Sequence, residues 1–196
     1  VGKAFKIIGI AVLSSIAGLL VLGQLEYIGV IKKPTDLSSN SVSSNAVNAS
    51  SKPSFDTALL SQMVFNMTNQ ERIHAGLKPV QWDNSLAQLA IQHTQDMLDR
   101  NYYDHNTPEG KTPNDRAIAA GYKCGNPQYG GVAENLNEAG PAYGDTSAES
   151  AAYGVMQSWM NSPGHRENIL AATHQKLGVG TSMNDNGTAL IAEEFC

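Results

Sequence analysis

Five histidines (His74, His93, His105, His165 and His174) and a scatter of carboxylates are the groups in this chain able to carry protons or hold a metal near neutral pH. His105 stands in Tyr102-Tyr103-Asp104-His105-Asn106, a run rich in turn formers. There the aromatic pair can shield one side of the imidazole and leave the other toward a cleft. His165 stands in Asn161-Ser162-Pro163-Gly164-His165-Arg166-Glu167-Asn168. Ser162 as N-cap and Pro163 at the first helical position place it in the first turn of a short helix. The positive end of the helix dipole disfavours imidazolium there and favours the neutral, metal-binding form. Glu134 follows Gly130 and Gly131, which allow close backbone approach and let a carboxylate point into a cleft. The plainer readings are a surface loop histidine for His105 and a solvated loop acid for Glu134. His93 shares helical spacing with Leu86, Leu89, Ala90 and Met97, so it reads as a packed, hydrogen-bonded core histidine. His74 ends a helix, where a cation suits the dipole, and His174 lies in a turn.

None of the sharper enzyme signatures accompanies these residues. H-E-x-x-H, G-x-S-x-G and phosphate-cradling glycine loops are absent from the sequence, and neither cysteine is placed as a nucleophile. From residue types alone the chemistry stops at imidazoles and a carboxylate around a cleft.

The elements that would hold them follow from periodicity and capping. Phe55, Leu59, Leu60, Met63, Val64 and Met67 give an amphipathic helix ending near Gly76. Asp83 caps a second, Thr112-Pro113 opens a third that Gly121 closes, and a fourth runs from about Ser147 to Met160. Gly131–Asn137, Leu177–Met183 and Ala189–Phe195 read as strands, with Asn186-Gly187 as a hairpin turn between the last two. Helices first and a hairpin last make an α+β fold with a small antiparallel sheet under helices.

Cys124 and Cys196 are the two cysteines. Their separation is too long for a metal knuckle, and on an exported chain they read most simply as one disulfide, with two buried free thiols as the alternative. Closing a loop of about 73 residues is worth roughly 4 kcal/mol on the chain-entropy view.

Ahead of the domain, residues 1–31 carry an apolar run. From Ile7 to Gly23 about 17 residues are uncharged, roughly 26 Å as a helix, and Lys3 and Lys6 precede them. A transmembrane anchor is favoured because no clean A-x-A cleavage site follows; a signal segment is the rival. Residues 32–54 are a Ser/Asn-rich linker, expected as a flexible tether, and 55–196 form the globular domain. Sequons begin at Asn48, Asn66 and Asn186. Five of the 13 basic residues but only two of the 18 acids precede Ser54, leaving 8 against 16 for the domain. A domain so acidic offers no cationic field for phosphate backbones, so nucleic acid is not an expected partner.

Taken in order, the motifs resemble the bacterial and archaeal branch of the CAP superfamily, the fold of cysteine-rich secretory proteins, antigen 5 and pathogenesis-related class 1 proteins. The resemblance runs from Asn69-Gln70-Glu71-Arg72 and Ala75 to Asp83, through His93, Tyr103-Asp104-His105, Asp115-Arg116 and Glu134-Asn135. It continues through Trp159 to Leu170, Gly178-Val179-Gly180 and Glu193-Glu194-Phe195. It implies a three-layer α-β-α sandwich with a central cleft of two histidines and two glutamates that binds zinc or another divalent cation in some relatives. Carried across, the cleft residues are His105, Glu134 and His165, with His105 and His165 as metal ligands. The second glutamate matches Ser162, and Glu193 on the last strand is the candidate substitute.

Three functions compete. The first is an extracytoplasmic, membrane-tethered module that binds a lipid, peptide, glycan or protein, with a divalent cation as an optional part of its cleft. The second is a zinc-assisted, peptidase-like hydrolase with Glu134 as base, and the third a structural part of the cell envelope. If the apolar start is cleaved, the chain is secreted instead.

Overall fold

A computed structural model describes residues 55–125 and 130–196. The expected membrane segment, the linker and Asn48 lie outside the described residues. Among those described, no helix is long and apolar enough to cross a bilayer.

Side-chain caps start the helices where the sequence places them. Asp56 accepts the amides of Ala58 and Leu59 at 2.9 and 3.0 Å and opens α1, Thr57–His74. Asp83 does the same at Ser85 and Leu86 for α2, Asn84–Arg100. Thr112 and Asp115 form a reciprocal capping box with Pro113 at the start of α3, Pro113–Ala119. Ser147 and Ser150 form another at α4, Ala148–Asn161. Ser162 is the N-cap of α5, Pro163–Leu170, by position, but its side chain makes no capping bond.

Between and after the helices lie β1 (Gln81–Trp82), β2 (Ala133–Ala139), β3 (Lys176–Met183) and β4 (Ala189–Phe195). The sheet order is β1-β3-β4-β2. β3, β4 and β2 are antiparallel as expected, while the two-residue β1 adds a parallel edge beside β3. The hairpin between β3 and β4 is wider than a two-residue Asn-Gly turn. It spans residues 184–188, and Asn184 Oδ1 accepts the amides of Asn186 and Thr188, each at 3.0 Å. Gly187 takes the left-handed conformation at φ 81°, whereas Asn186 keeps a negative φ. A type I′ turn would need both positive.

Each strand residue faces one of two layers. Odd positions of β4 (Ala189, Ile191, Phe195) join Trp159, Val155 and Leu60 in a large apolar core beneath α1, α4 and α5. Even positions (Leu190, Ala192) meet Ala90, Met97 and Leu136 beneath α2. The result is the expected three-layer α-β-α sandwich. Trp159 is fully buried, and its indole N–H donates to Leu136 O at 2.9 Å, fixing α4 to β2. Arg72 is also buried: its guanidinium donates to the carbonyls of Lys78, Ile169, Ala171 and His174 and so ties α1 to the segment after α5. Cys124 and Cys196 form the disulfide, with Cα atoms 5.5 Å apart.

The second layer lies unusually close. A Cβ added at Gly178 would stand 2.0 Å from Ala87 N, and one at Gly180 would stand 2.3 Å from Ile91 N. The helix backbone therefore rests directly on β3, and only glycine fits beneath it. Gly178→Ala is expected to lower unfolding stability by about 3 kcal/mol, because overpacking against backbone outweighs the small gain in strand preference. Urea denaturation at constant m-value checks this, and an unchanged midpoint would contradict the contact.

Candidate functional site

The site begins with a pairing in the sheet. Glu134 on β2 lies directly opposite Glu194 on β4, and both side chains are only 1% exposed. Two carboxyls buried side by side cannot both ionise without compensation. Compensation comes from α3, where Arg116 donates to Glu134 Oε2 at 2.5 Å and Glu194 Oε1 at 3.2 Å. Burial pushes Glu134 up to about 7 against the pull of Arg116. Glu194 is raised well above the usual carboxylate range, first by burial and then by the neighbouring Glu134 charge. Glu194 is thus the member that favours the proton, and its Oε2 is buried without a hydrogen-bond partner.

His105 closes this group toward solvent. Its Nδ1 lies 2.7 Å from Glu134 Oε1, while its side chain is 51% exposed. The loop that carries it is fastened in three places. Arg116 donates to His105 O at 2.7 Å, Asp104 Oδ1 accepts the amide of Asn106, and His93 Nε2 donates to Asp104 O at 3.0 Å. With Nδ1–H committed to a carboxylate, His105 presents Nε2 as an acceptor. Burial lowers its pKa despite the carboxylates nearby. The core role expected of His93 holds, with an addition: its Nε2 also lies 3.7 Å from Glu134 Oε2. Burial and the Arg116 charge bring His93 down to about 4, so it faces the carboxylate as a neutral ring.

His165 occupies the first turn of α5 as expected. Its Nδ1 is buried without a hydrogen-bond partner, and its ring packs 6.4 Å from that of Trp159. Its pKa is lowered chiefly by burial and then by the charge on His105. Asparagines hold this turn to the sheet. Asn135 Nδ2 donates to His165 O at 3.2 Å, and Asn168 Nδ2 donates to Glu134 O and Asn135 Oδ1. Among the described residues, no group of three His, Cys, Asp or Glu side chains is set to enclose a metal.

The second carboxylate is Glu194, not Glu193. Neighbours on a strand point to opposite faces, and Glu193 faces the α1 side. There it accepts from Thr68 Oγ1 at 2.5 Å and Asn135 Nδ2 at 3.1 Å, and burial raises it to about 7. Arg116 and Glu194 were given no role from sequence. Their motifs carried a signal, but the register between β2 and β4 was needed to read it. His174 lies away from this cleft, stacked on Phe195 at 4.9 Å.

The sequons differ in the same way. Asn66 lies inside α1, and the Thr68 of its sequon is buried against Glu193. Asn186 is exposed on the β3–β4 turn, where modification is sterically open.

Residues 65–195 match the family described as CAP, the cysteine-rich secretory protein family. The chain belongs to the CAP family. It is 38% identical over 117 residues to the uncharacterized protein YkwD of Bacillus subtilis, covering 60% of this chain and 40% of that protein. It is 29% identical over 119 residues to the uncharacterized membrane protein YlbC of the same organism, covering 61% and 30%. It thus spans less than half the length of these relatives. An extracellular SCP-domain protein from Bacillus anthracis superposes with a TM-score of 0.55 at 29% identity, over 69% of this chain and 39% of that one. An outer surface protein from Borrelia burgdorferi superposes at 0.58 with 18% identity, over 71% and 93%, and shares the fold.

The buried groups of this CAP domain give its stability a pH signature. Glu134, Glu193 and Glu194 hold protons in the fold that an unfolded carboxyl, near 4.5, would release. The stabilisation from Glu134 and Glu193 is lost as pH rises from 4.5 through about 7, and that from Glu194, raised well above the usual carboxylate range, is also lost on the alkaline side. His93 and His174, lowered to about 4 from 6.5, act oppositely and cost stability as pH falls below 6.5. Between pH 4.5 and 6.5 the carboxyl and imidazole contributions oppose each other, and above 6.5 only the carboxyl loss remains, so the thermal midpoint should decline from there. Glu194→Gln should flatten the alkaline decline and leave the midpoint near pH 5 little changed; equal slopes in melts of both proteins would contradict the raised Glu194 carboxyl.

Proposed function

We propose that this CAP domain is a recognition module held on the outer side of a membrane by the apolar start of its chain. Its binding face is the cleft of His105, Glu134 and His165, open to a lipid, peptide, glycan or protein. The 2.7 Å bond between His105 and Glu134 carries this reading. It anchors a half-exposed imidazole on a buried, charge-compensated carboxylate, a costly arrangement for a surface histidine with no ligand. The description of the Bacillus anthracis protein as extracellular and of YlbC as a membrane protein supports the placement. The acidic charge of the domain argues against nucleic acid.

The donor set fits a divalent cation such as zinc as an optional part of the cleft. His105 Nε2 and His165 supply neutral nitrogens. Glu134 orients the first imidazole from behind, as carboxylates commonly do for metal-bound histidine. Two protein nitrogens leave the remaining positions to water or ligand, so affinity is modest. Bound there, the cation would attract anionic or carbonyl oxygens of a partner.

The hydrolase reading draws on Glu134 standing near 7, within the range of a general base. Its 1% exposure and its bonds to Arg116 and His105 weigh against that role, because neither carboxylate oxygen is left to activate a water.

Zinc titration by calorimetry tests the cation part. His105→Ala and His165→Ala should each abolish binding, and Glu134→Gln should weaken it by about 10- to 100-fold. Absence of binding to the unaltered chain, or binding indifferent to both alanine variants, removes the cation from this proposal.

A further inference from the structure

On the cleft side of the sheet, β2 continues past Glu134 to Leu136 and Glu138. Four residues of strand separate the two glutamates by roughly 13 Å. Where Glu138 emerges, a hollow of about 270 Å³ opens, with Asn101, Tyr103, Glu138, Asn184 and Thr188 among its walls. Tyr103 is 49% exposed and Tyr143 is 56% exposed. The Tyr143 hydroxyl donates to Glu138.

The walls come from three separate segments: the end of α2 with the residues that follow it, Glu138 near the end of β2, and the β3–β4 hairpin. The chain just beyond Glu138 is locked to the hairpin. A Cβ on Gly140 would stand 2.4 Å from Gly187 O, so the start of the 3-10 turn Pro141–Tyr143 rests on the hairpin backbone. Asp145 Oδ2 accepts the Gly140 amide at 3.0 Å and holds the turn there. The hollow is therefore preformed, as recognition sites usually are.

Its chemistry selects a ligand class. No Lys or Arg lines it, which disfavours phosphate or carboxylate ligands. Asn184 spends its carbonyl oxygen on the Asn186 and Thr188 amides, so its NH₂ is what it can offer a ligand. A donor there opposes an organic cation and suits a hydroxyl oxygen. Glu138 accepts, Thr188 both donates and accepts, and the tyrosines add flat apolar faces with polar tips. We propose that this hollow binds a neutral saccharide unit, with Tyr103 and Tyr143 packing on its C–H faces and Glu138, Asn184 and Thr188 bonding its hydroxyls. The glycan chain would then extend along β2 toward His105. This rests on the cleft being a recognition face but not on the cation.

Titration of the full chain with tri-N-acetylchitotriose, maltotriose and mannotriose, followed by nuclear magnetic resonance shifts, tests it. At least one trisaccharide should bind saturably at millimolar concentration. Tyr103→Ala and Tyr143→Ala should each weaken it about tenfold, whereas Tyr153→Ala, at an exposed tyrosine on α4, should bind it as before. Both tyrosines are exposed, so their truncation spares the core. Failure of all three sugars, or binding indifferent to both tyrosine variants, overturns the saccharide site. So does binding of choline, added as a cation probe, in their place. Zinc binding that persists through such a failure would leave the cleft reading standing, and loss of zinc binding alone would leave the saccharide site standing.

Discussion

Two carboxyl groups buried opposite each other in a sheet and sharing one guanidinium set the terms for this half of the molecule. Neither Glu134 nor Glu194 can sit there with its charge uncompensated, because desolvation of an unpaired carboxylate costs several kcal/mol. The requirement places α3, which must bring Arg116 over the strand pair. It also places the loop after α2, since Arg116 spends a further donor on the carbonyl of His105. With the guanidinium taken on one side, the remaining oxygen of Glu134 faces His105 and orients its ring. The exposed imidazole is thus the outer end of a chain of constraints that starts in the sheet.

The opposite face of the sheet uses the same logic for the second histidine. Glu193 binds Thr68 and Asn135, and Asn135 also holds the carbonyl of His165. Asn168 bridges the backbone of Glu134 to the side chain of Asn135. Polar groups on both faces of β2 therefore converge on the first turn of α5. That turn needs the help, since Ser162 does not cap it through its side chain. Buried networks of this kind favour one arrangement because every misaligned alternative leaves a polar group unsatisfied.

Close packing keeps the arrangement rigid. α2 rests on the glycines of β3 without intervening side chains, so this layer is thin, whereas the layer of α1, α4 and α5 fills its space with Trp159, Leu60 and Val155. A thin layer leaves its polar residues near solvent. His105, Arg116 and Tyr103 accordingly all lie on the α2 side, while the thick layer takes up its buried polar groups, Arg72 among them, as internal ties.

Local chemistry determined where the elements begin and which residue types could form a cleft. Asp56, Asp83, Thr112 and Ser147 cap helices through hydrogen bonds within a few residues, and periodicity marks the buried stripe of α2, His93 included. Motif order was enough for the family, and it singled out His105, Glu134 and His165 as candidates. The partner of Glu134 was decided only by tertiary structure. In Glu193-Glu194 one carboxylate must face each side of the sheet, yet β4 is buried on both faces and shows no alternation to say which. The pairing of Glu134 with Glu194 is a contact between residues 60 apart in sequence, and the role of Arg116 follows from it. The same holds for the hollow beside Glu138, whose walls come from segments that local propensity has no means of bringing together.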